Sequence, residues 1–382
     1  LGATIGQGYA ELTHESEVNR RVFIASGAAA GLSAAFNAPI ASTLFVLEEV
    51  YHNFSPLIWT TALASAIASN FVSTVFFGLT PVLHIVYTKT LPLTMYPHLL
   101  FLGIFLGVMG FVYQRVLLKM GDWYEYLIKL PKWLFGMVPF ILVIPIGLLV
   151  PNLLGGGNSI ILNIAGHTPG LLILLGIFIL RFVFSMISYG SGLPGGIFLP
   201  ILSLGAILGA IYGQTMIWLG IFPASYLTNF IIIAMAGYFA GIGKAPFTAI
   251  LLITEMVGTL HHLMPLAVVS ITAYVVVDLL GGAPIYESLL HKIVKPSVPN
   301  ATGKLDRVEF PVFAESYMVG HQVRDFQWPQ NSLLIAIRRG EREVIPHGDT
   351  LLIAGDTLVV TTNHRNRGNL LHLLHQLPMQ TK

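Results

Sequence analysis

The sequence predicts an all-α polytopic membrane protein with discontinuous helices, followed by a small α+β domain. Three observations predict it. Of 382 residues, 54% are hydrophobic and 10% charged, with a mean hydropathy of +0.75, whereas a soluble globular chain carries about a quarter charged residues. Apolar segments recur along the first three quarters of the chain, separated by short Gly, Pro or polar breaks. Half of the charged side chains fall in the last quarter, from Lys292 to Lys382.

Taken in order, helices are expected near 18–33, 39–52, 56–78, 98–128, 134–154, 168–190, 197–219, 227–241, 246–259, 262–280 and 285–294. Several reach the roughly 20 residues needed to cross a bilayer core of about 30 Å. The stretches 39–52 and 246–259 are too short, and each begins at a proline. Proline suits a first helical turn, because the N–H it lacks has no intrahelical partner there. Short, Pro- and Gly-interrupted segments in two halves of a chain point to helices that end inside the membrane at a binding site.

A repeat supports the two halves. AAGLSAAFNAPIASTLFVLEEV (29–50) resembles AGYFAGIGKAPFTAILLITEMV (236–257) at an offset of 207 residues. Ala38-Pro39 matches Ala245-Pro246, Leu44 matches Leu251 and Glu48 matches Glu255. Glu48 and Glu255 are expected to cap or pair structurally.

The segment 190–200, GSGLPGGIFLP, lies in the least charged region. Between Trp133 and Gly243 the sole formal charge is Arg181. Irregular backbone at membrane depth is tolerated where it is buried in protein or lines a polar cavity. The next residues, ILSLGAILGAIYG, are helix-like, and a helix start presents N–H groups and a positive dipole end to anions. Gly195 and Gly196 let an ion approach the backbone; the same glycines also permit close helix packing. A neutral cage of amides suits a permeant ion, which must be able to leave. The amides of Ile197 and Phe198 are the candidate contacts.

Composition also excludes. Net charge is +2, so nucleic acid is not an expected partner. There is no cysteine, hence no disulfide or thiolate chemistry. No metal-ligand spacing and no G-x-x-x-x-G-K-[ST] phosphate loop is present. The chain opens on Leu1 and reads as the downstream part of a longer protein.

The tail changes character. VEFPVF, SLLIAIRRG, EVIP and DTLLIAGDTLVVTTN alternate and are rich in β-branched residues, with turns at His347-Gly348-Asp349 and Ala354-Gly355-Asp356. NRGNLLHLLHQL is expected to close the chain as an amphipathic helix. Residues 338–343, RRGERE, read as a solvated turn. The expected division is an intramembrane domain at 1–295, a linker at 296–306 and a soluble domain at 307–376.

GSGLPGGIFLP, GAAAGLSAAFNAPIASTLFVLEEV and GGAPIYESLL together resemble the CLC family of chloride channels and chloride/proton antiporters. The resemblance covers residues 1 to about 294. It implies two inverted repeats of tilted, mostly half-crossing helices, assembled as a homodimer. The family's G-x-F-x-P motif, which begins a chloride-binding helix, reads Gly196-Ile197-Phe198-Leu199-Pro200 here. The tail resembles the RCK C-terminal (TrkA-C) regulatory module, which implies control by a small molecule, such as a cyclic dinucleotide. The family's serine-bearing chloride contact and its G-R-E-G-P segment, whose glutamate gates the outer side, are implied to lie upstream of Leu1.

The resemblance assigns Tyr286 as a further chloride ligand, where position alone reads equally as an interfacial anchor. Glu49 closes an apolar run, where a carboxylate is costly in lipid and function is the default; a solvated helix end is the other reading. It matches the internal proton glutamate of the antiporters. Arg181 is expected to snorkel or pair with a carboxylate, and His261 and His262 to be exposed. The implied function is H+/Cl− antiport, with an uncoupled voltage- or ligand-gated chloride channel as the alternative. An intramembrane hydrolase using Ser191 with His261 or His262 lacks the G-x-S-x-G elbow. A potassium-uptake subunit lacks filter loops of the T-V-G-Y-G kind. No enzyme activity, catalytic residue, cofactor or metal is expected. The implied location is the plasma membrane of a bacterium, with the tail cytosolic.

Overall fold

Long apolar runs form helices, and Gly-Pro or polar clusters end them. The computed structural model describes residues 1–51, 55–78, 81–85, 90–127, 131–293, 305–313, 316–328, 332–340 and 342–363. The first helices are α1 (Gly2–Leu12), α2 (Glu17–Phe36), α3 (Pro39–Phe45), α4 (Pro56–Phe77) and α5 (Tyr96–Leu127). A π-helical turn, Val46–Tyr51, continues α3. Next come α6 (Met137–Leu149), α7 (Asn158–Gly166), α8 (Leu171–Gly190) and α9 (Phe198–Trp218). The last are α10 (Leu227–Gly243), α11 (Pro246–Val257), α12 (Leu263–Leu279) and α13 (Ile285–Ile293).

The predicted helices are present, within a few residues at most ends. Two were not predicted, α1 and α7. GATIGQGYAEL carries three glycines, which lower helix propensity, and NSIILNIAG is only nine residues long. Among the described residues five stretches are long and apolar enough to cross a membrane: Pro56–Phe77, Leu93–Tyr126, Leu171–Gly190, Phe198–Trp218 and Ala224–Gly243. Helix α10 is buried without a break from Asn229 to Gly243. A helix apolar all round belongs in the centre, and α5, α9, α11 and α12 pack around it. Helix α4 instead exposes Phe71, Val75, Phe76 and Phe77, side chains at home in lipid.

The repeat is longer in space than in the aligned sequence. At the same offset, Gly2 and Gly6 correspond to Gly209 and Gly213. In the first copy a Cβ on Gly6 would lie 2.1 Å from the Phe23 carbonyl oxygen, and in the second a Cβ on Gly209 would lie 2.4 Å from that of Phe230. Both α1–α2 and α9–α10 therefore cross at glycine. Each copy then breaks at a left-handed residue, Asn37 (φ 52°) or Lys244 (φ 60°), and restarts at a proline. Lys244 is steadied there by an ion pair to Asp278 at 2.5 Å.

The two restarts are joined reciprocally. Glu48, at the end of the first copy, accepts hydrogen bonds from the amides of Phe247 (3.3 Å) and Thr248 (2.8 Å) and from the Thr248 hydroxyl (2.7 Å). Glu255, at the end of the second, accepts from the amides of Ile40 (3.1 Å) and Ala41 (2.8 Å). Each carboxylate thus caps the other copy's short helix, which requires α3 and α11 to run antiparallel about an approximate two-fold axis. Anions at helix N-termini satisfy free donors and the dipole together.

The tail forms a four-stranded antiparallel sheet in the order β1-β4-β2-β3: β1 (Leu305–Pro311), β2 (Ser332–Arg339), β3 (Arg342–Val344) and β4 (Asp356–Asn363). Val308, Phe310, Ile337, Leu358 and Val360 close its core with Met318, Phe326 and Leu352. Residues 338–343 are more than a solvated turn. Arg339 grips the fully buried Asp356 through two nitrogens at 2.8 Å, and this holds its guanidinium above the ordinary arginine range. Arg338 bonds Glu309 at 2.9 Å. The other oxygen of Glu309 meets Arg21 of α2 at 2.5 Å, a contact between the sheet and the helical part. The expected closing helix at 366–377 and nearly all of the linker lie outside the described residues.

Three substitutions test these caps and clamps. Glu48→Ala and Glu255→Ala should each lower stability by about 1–2 kcal/mol, the scale of a lost helix cap, read as a lower thermal midpoint in detergent. Asp356→Asn should cost about 2–3 kcal/mol, as charge-assisted bonds are lost, read as greater protease sensitivity confined to the tail.

Candidate anion and proton site

The turn before α9 is built so that its donors stay free. Pro200 stands in the first turn, where its missing N–H costs nothing, and Ile197 caps the helix without any side-chain cap bond. A Cβ built on Gly196 meets nothing within 4 Å, and one on Gly195 meets only the Leu193 carbonyl oxygen at 3.9 Å. These glycines are therefore not packing devices; the space beside them is open. It is a cavity of about 340 Å³, lined by Gly195, Gly196, Ile197, Arg181, Tyr113 and Tyr189 among others.

Arg181, 4% exposed, neither snorkels nor meets a carboxylate among the described residues. It donates to the carbonyls of Leu153 (3.1 Å) and Gly155 (2.6 Å), while its Nε is buried without a partner. The expectation failed because the loop Gly155-Gly156-Gly157 wraps the guanidinium. Gly157 sits at φ 116°, and a Cβ there would lie 3.2 Å from Arg181. A cation neutralised only by dipoles leaves the cavity electropositive.

Phe198 anchors the turn on its other side. Its ring packs on Phe36 (4.7 Å between centroids), Phe239 (4.9 Å) and Phe45 (6.0 Å). Phe45 in turn meets the Tyr286 ring edge-on at 5.6 Å. The start of α9, the end of α3 and the start of α13 thus converge. The Tyr286 hydroxyl is buried and has no hydrogen-bond partner, and it lies within electrostatic reach of Glu49. An interfacial anchor would have its hydroxyl in water, so the structure favours the inward reading of this residue.

Glu49 is 7% exposed and its Oε2 is buried without a partner. Its Oε1 lies over Gly243, where an added Cβ would approach it to 3.1 Å. The adjacent Glu48 spends its carboxylate on α11, and the π-helical turn Val46–Tyr51 aims the two side chains differently. Such turns recur at functional sites. Glu49 is therefore not a solvated helix end.

Sequence reasoning missed Gln114, 3% exposed, which donates to the carbonyls of Ile242 (2.7 Å) and Ala283 (2.9 Å). It ties α5 to the end of α10 and to the entry of α13, and so positions Tyr286. Its signal was a lone amide inside an apolar 32-residue helix. His262 is buried rather than exposed, with Nε2 3.2 Å from Asn229 Oδ1. Ser191 donates to the Ser188 carbonyl, which uses the proton that a hydrolase would hand to histidine.

Residues 1–278 match the family described as voltage gated chloride channel, and residues 307–375 match the TrkA-C domain. The chain belongs to the voltage-gated chloride channel family. It is similar to the H(+)/Cl(−) exchange transporter ClcA of Vibrio cholerae, with 35% identity over 310 residues, covering 77% of this chain and 64% of that protein. The namesake of Klebsiella pneumoniae is 33% identical over 301 residues, covering 76% and 63%. The chain thus spans a little under two thirds of the curated relatives it matches. The solved structure of a slow cyanobacterial Cl−/H+ antiporter superposes with a TM-score of 0.69 at 32% identity, covering 76% of this chain and 69% of that one. A CLC-type fluoride/proton antiporter superposes at 0.62 with 24% identity, covering 72% and 67%, and shows the shared fold.

Because the Gly196 Cβ position is open, Gly196→Ala should fold normally and put a methyl where an ion would sit. Chloride affinity measured by calorimetry should drop at least about tenfold, or 1.4 kcal/mol. Tyr286→Ala should also weaken it.

Proposed function

We propose that this chain carries chloride across the membrane in exchange for protons. The observation that carries the reading is the buried, unpartnered Glu49 carboxylate beside an equally unpartnered Tyr286 hydroxyl, next to a turn of free amides. The anion is held by the N–H groups of Gly196, Ile197 and Phe198 and by the Tyr286 hydroxyl, and Glu49 takes up and releases the proton. A carboxylate can do so because burial lets it exist neutral as well as charged. No group here binds the ion as tightly as a direct Lys or Arg contact would, which suits passage rather than storage.

The ends of the molecule support the direction. Glu49 lies two residues before Tyr51, which is within electrostatic reach of Arg21 and of Arg338 in the tail. The soluble domain therefore stands at the Glu49 end, and with that domain in the cytosol Glu49 is the inner proton group. We divide the chain into a transport domain (1–295), a linker (296–306) and a regulatory domain (307–376). The TrkA-C match supports control by a small molecule, of which a cyclic dinucleotide is one kind. The family supports a homodimer in the bacterial plasma membrane, without a cofactor and without enzymatic chemistry.

In reconstituted protein, Glu49→Gln should abolish proton movement while chloride flux continues. Unchanged proton coupling would remove Glu49 from the mechanism, and wild-type flux without protons would instead support an uncoupled channel. Glu309→Gln breaks the link to Arg21 and should change the chloride transport rate about two- to fivefold, the factor corresponding to one exposed ion pair.

A further inference from the structure

The cavity beside the Gly195–Ile197 turn has two tyrosines that the proposed anion and proton ligands leave unused. Tyr113 comes from the middle of α5 and Tyr189 from the last turn of α8, and both line it with Ser185, Ser188 and Arg181. Tyr113 is 1% exposed, locked edge-on against Phe182 (5.9 Å) and Tyr238 (6.0 Å). Gln114, its neighbour, pins this stretch of α5 through two carbonyls. Near Tyr189, the Tyr124 hydroxyl donates to the Ile187 carbonyl at 2.6 Å, and Gly190 abuts Met120 and Tyr124. The Tyr113 ring is thus held by packing, and the backbone that carries Tyr189 is held by its neighbours.

Both tyrosines lie within electrostatic reach of Tyr286 and of each other, and Tyr113 also of Arg181. Three phenols from three helices therefore stand near one another, two of them, Tyr113 and Tyr189, on the wall of the electropositive cavity. An anion passing them gives up water in a medium of low dielectric, which is costly unless donors replace it. Phenol hydroxyls can donate to it without holding it as an ammonium would. A ring already fixed in place, as that of Tyr113 is, adds its donor at little cost in ordering. Charge-dense ions gain most from such bonds; a diffuse ion such as thiocyanate gains little.

We propose that the Tyr113 and Tyr189 hydroxyls line the passage from the cavity to Tyr286 and set selectivity by donating hydrogen bonds to the dehydrated anion. This rests on the anion-transport reading of the neighbouring turn and adds two specificity-determining residues to it.

The test uses Tyr113→Phe, Tyr189→Phe and the double variant, each checked for monodispersity and reconstituted. Chloride and thiocyanate affinities are measured by calorimetry, and their flux ratio in proteoliposomes. Each single variant should lose about threefold to tenfold in chloride affinity, the size of one neutral hydrogen bond, with thiocyanate unchanged. The flux ratio should shift toward thiocyanate, further in the double variant. An unaltered chloride-to-thiocyanate ratio overturns the proposal, and so does an equal loss for both ions, which marks a collapsed cavity. Should the double variant not assemble, the two single variants carry the same comparison. Gly196→Ala runs alongside. If it weakens chloride binding while the tyrosine variants are silent, only the passage is wrong; if it too is silent, the anion-site reading falls.

Discussion

At bilayer depth a helix cannot end without providing for its free amides, because no water is there to receive them. Among the described residues, three helix starts show two ways of doing so. The starts of α3 and α11 are closed by carboxylates, Glu255 and Glu48, each supplied by the opposite repeat. The start of α9 receives no side-chain cap; it faces a cavity. The distinction between structure and site is therefore a distinction between satisfied and available donors. The reciprocal caps also fix the relation of the two repeats. That relation brings Phe45 of the first repeat against Phe198 of the second, beside Tyr286.

Glu48 and Glu49 show that adjacent, identical side chains divide their work by geometry. In a helix successive residues point about 100° apart. With the π-helical turn at Val46–Tyr51, that is enough to give Glu48 a set of amide donors and to leave Glu49 Oε2 with none. A carboxylate with three hydrogen bonds is stabilised in its charged form, whereas one without partners has no such preference. The second is the one suited to exchanging a proton, and nothing in its residue type marks it out.

Much of the architecture was legible because it rests on chain-local signals. Pro39 and Pro246 mark helix starts, Glu48 and Glu255 recur at a fixed offset, and the glycines before Ile197 announce irregular backbone. Helix α7 was not legible because it is only nine residues long, and α1 because its glycines serve a crossing partner. Gly2 and Gly6 make sense only against Gly27 and Phe23. Arg181 was misread for a similar reason. Its partners are the carbonyls of Leu153 and Gly155, and no pattern of side chains encodes a backbone acceptor. His262 was misread because its burial depends on Asn229, thirty-three positions away. What sequence patterns carry is periodicity and breakage; what they omit is which distant carbonyl or amide fills each need.

The ion pair that joins the two parts of the chain at Glu309 is weak, and the weakness is informative. Glu309 bridges Arg338 within the sheet and Arg21 of α2, but the Arg21 and Glu309 side chains remain 45% and 28% exposed. An ion pair that wet contributes about 1 kcal/mol or less and is screened by salt. Alone, such a pair does not hold against a ligand or partner that prefers another arrangement, since binding energies exceed that amount many times. A pillar would have been built from buried apolar surface. An exchangeable carboxylate suits a reversible restraint, because its making and breaking need only a small differential affinity.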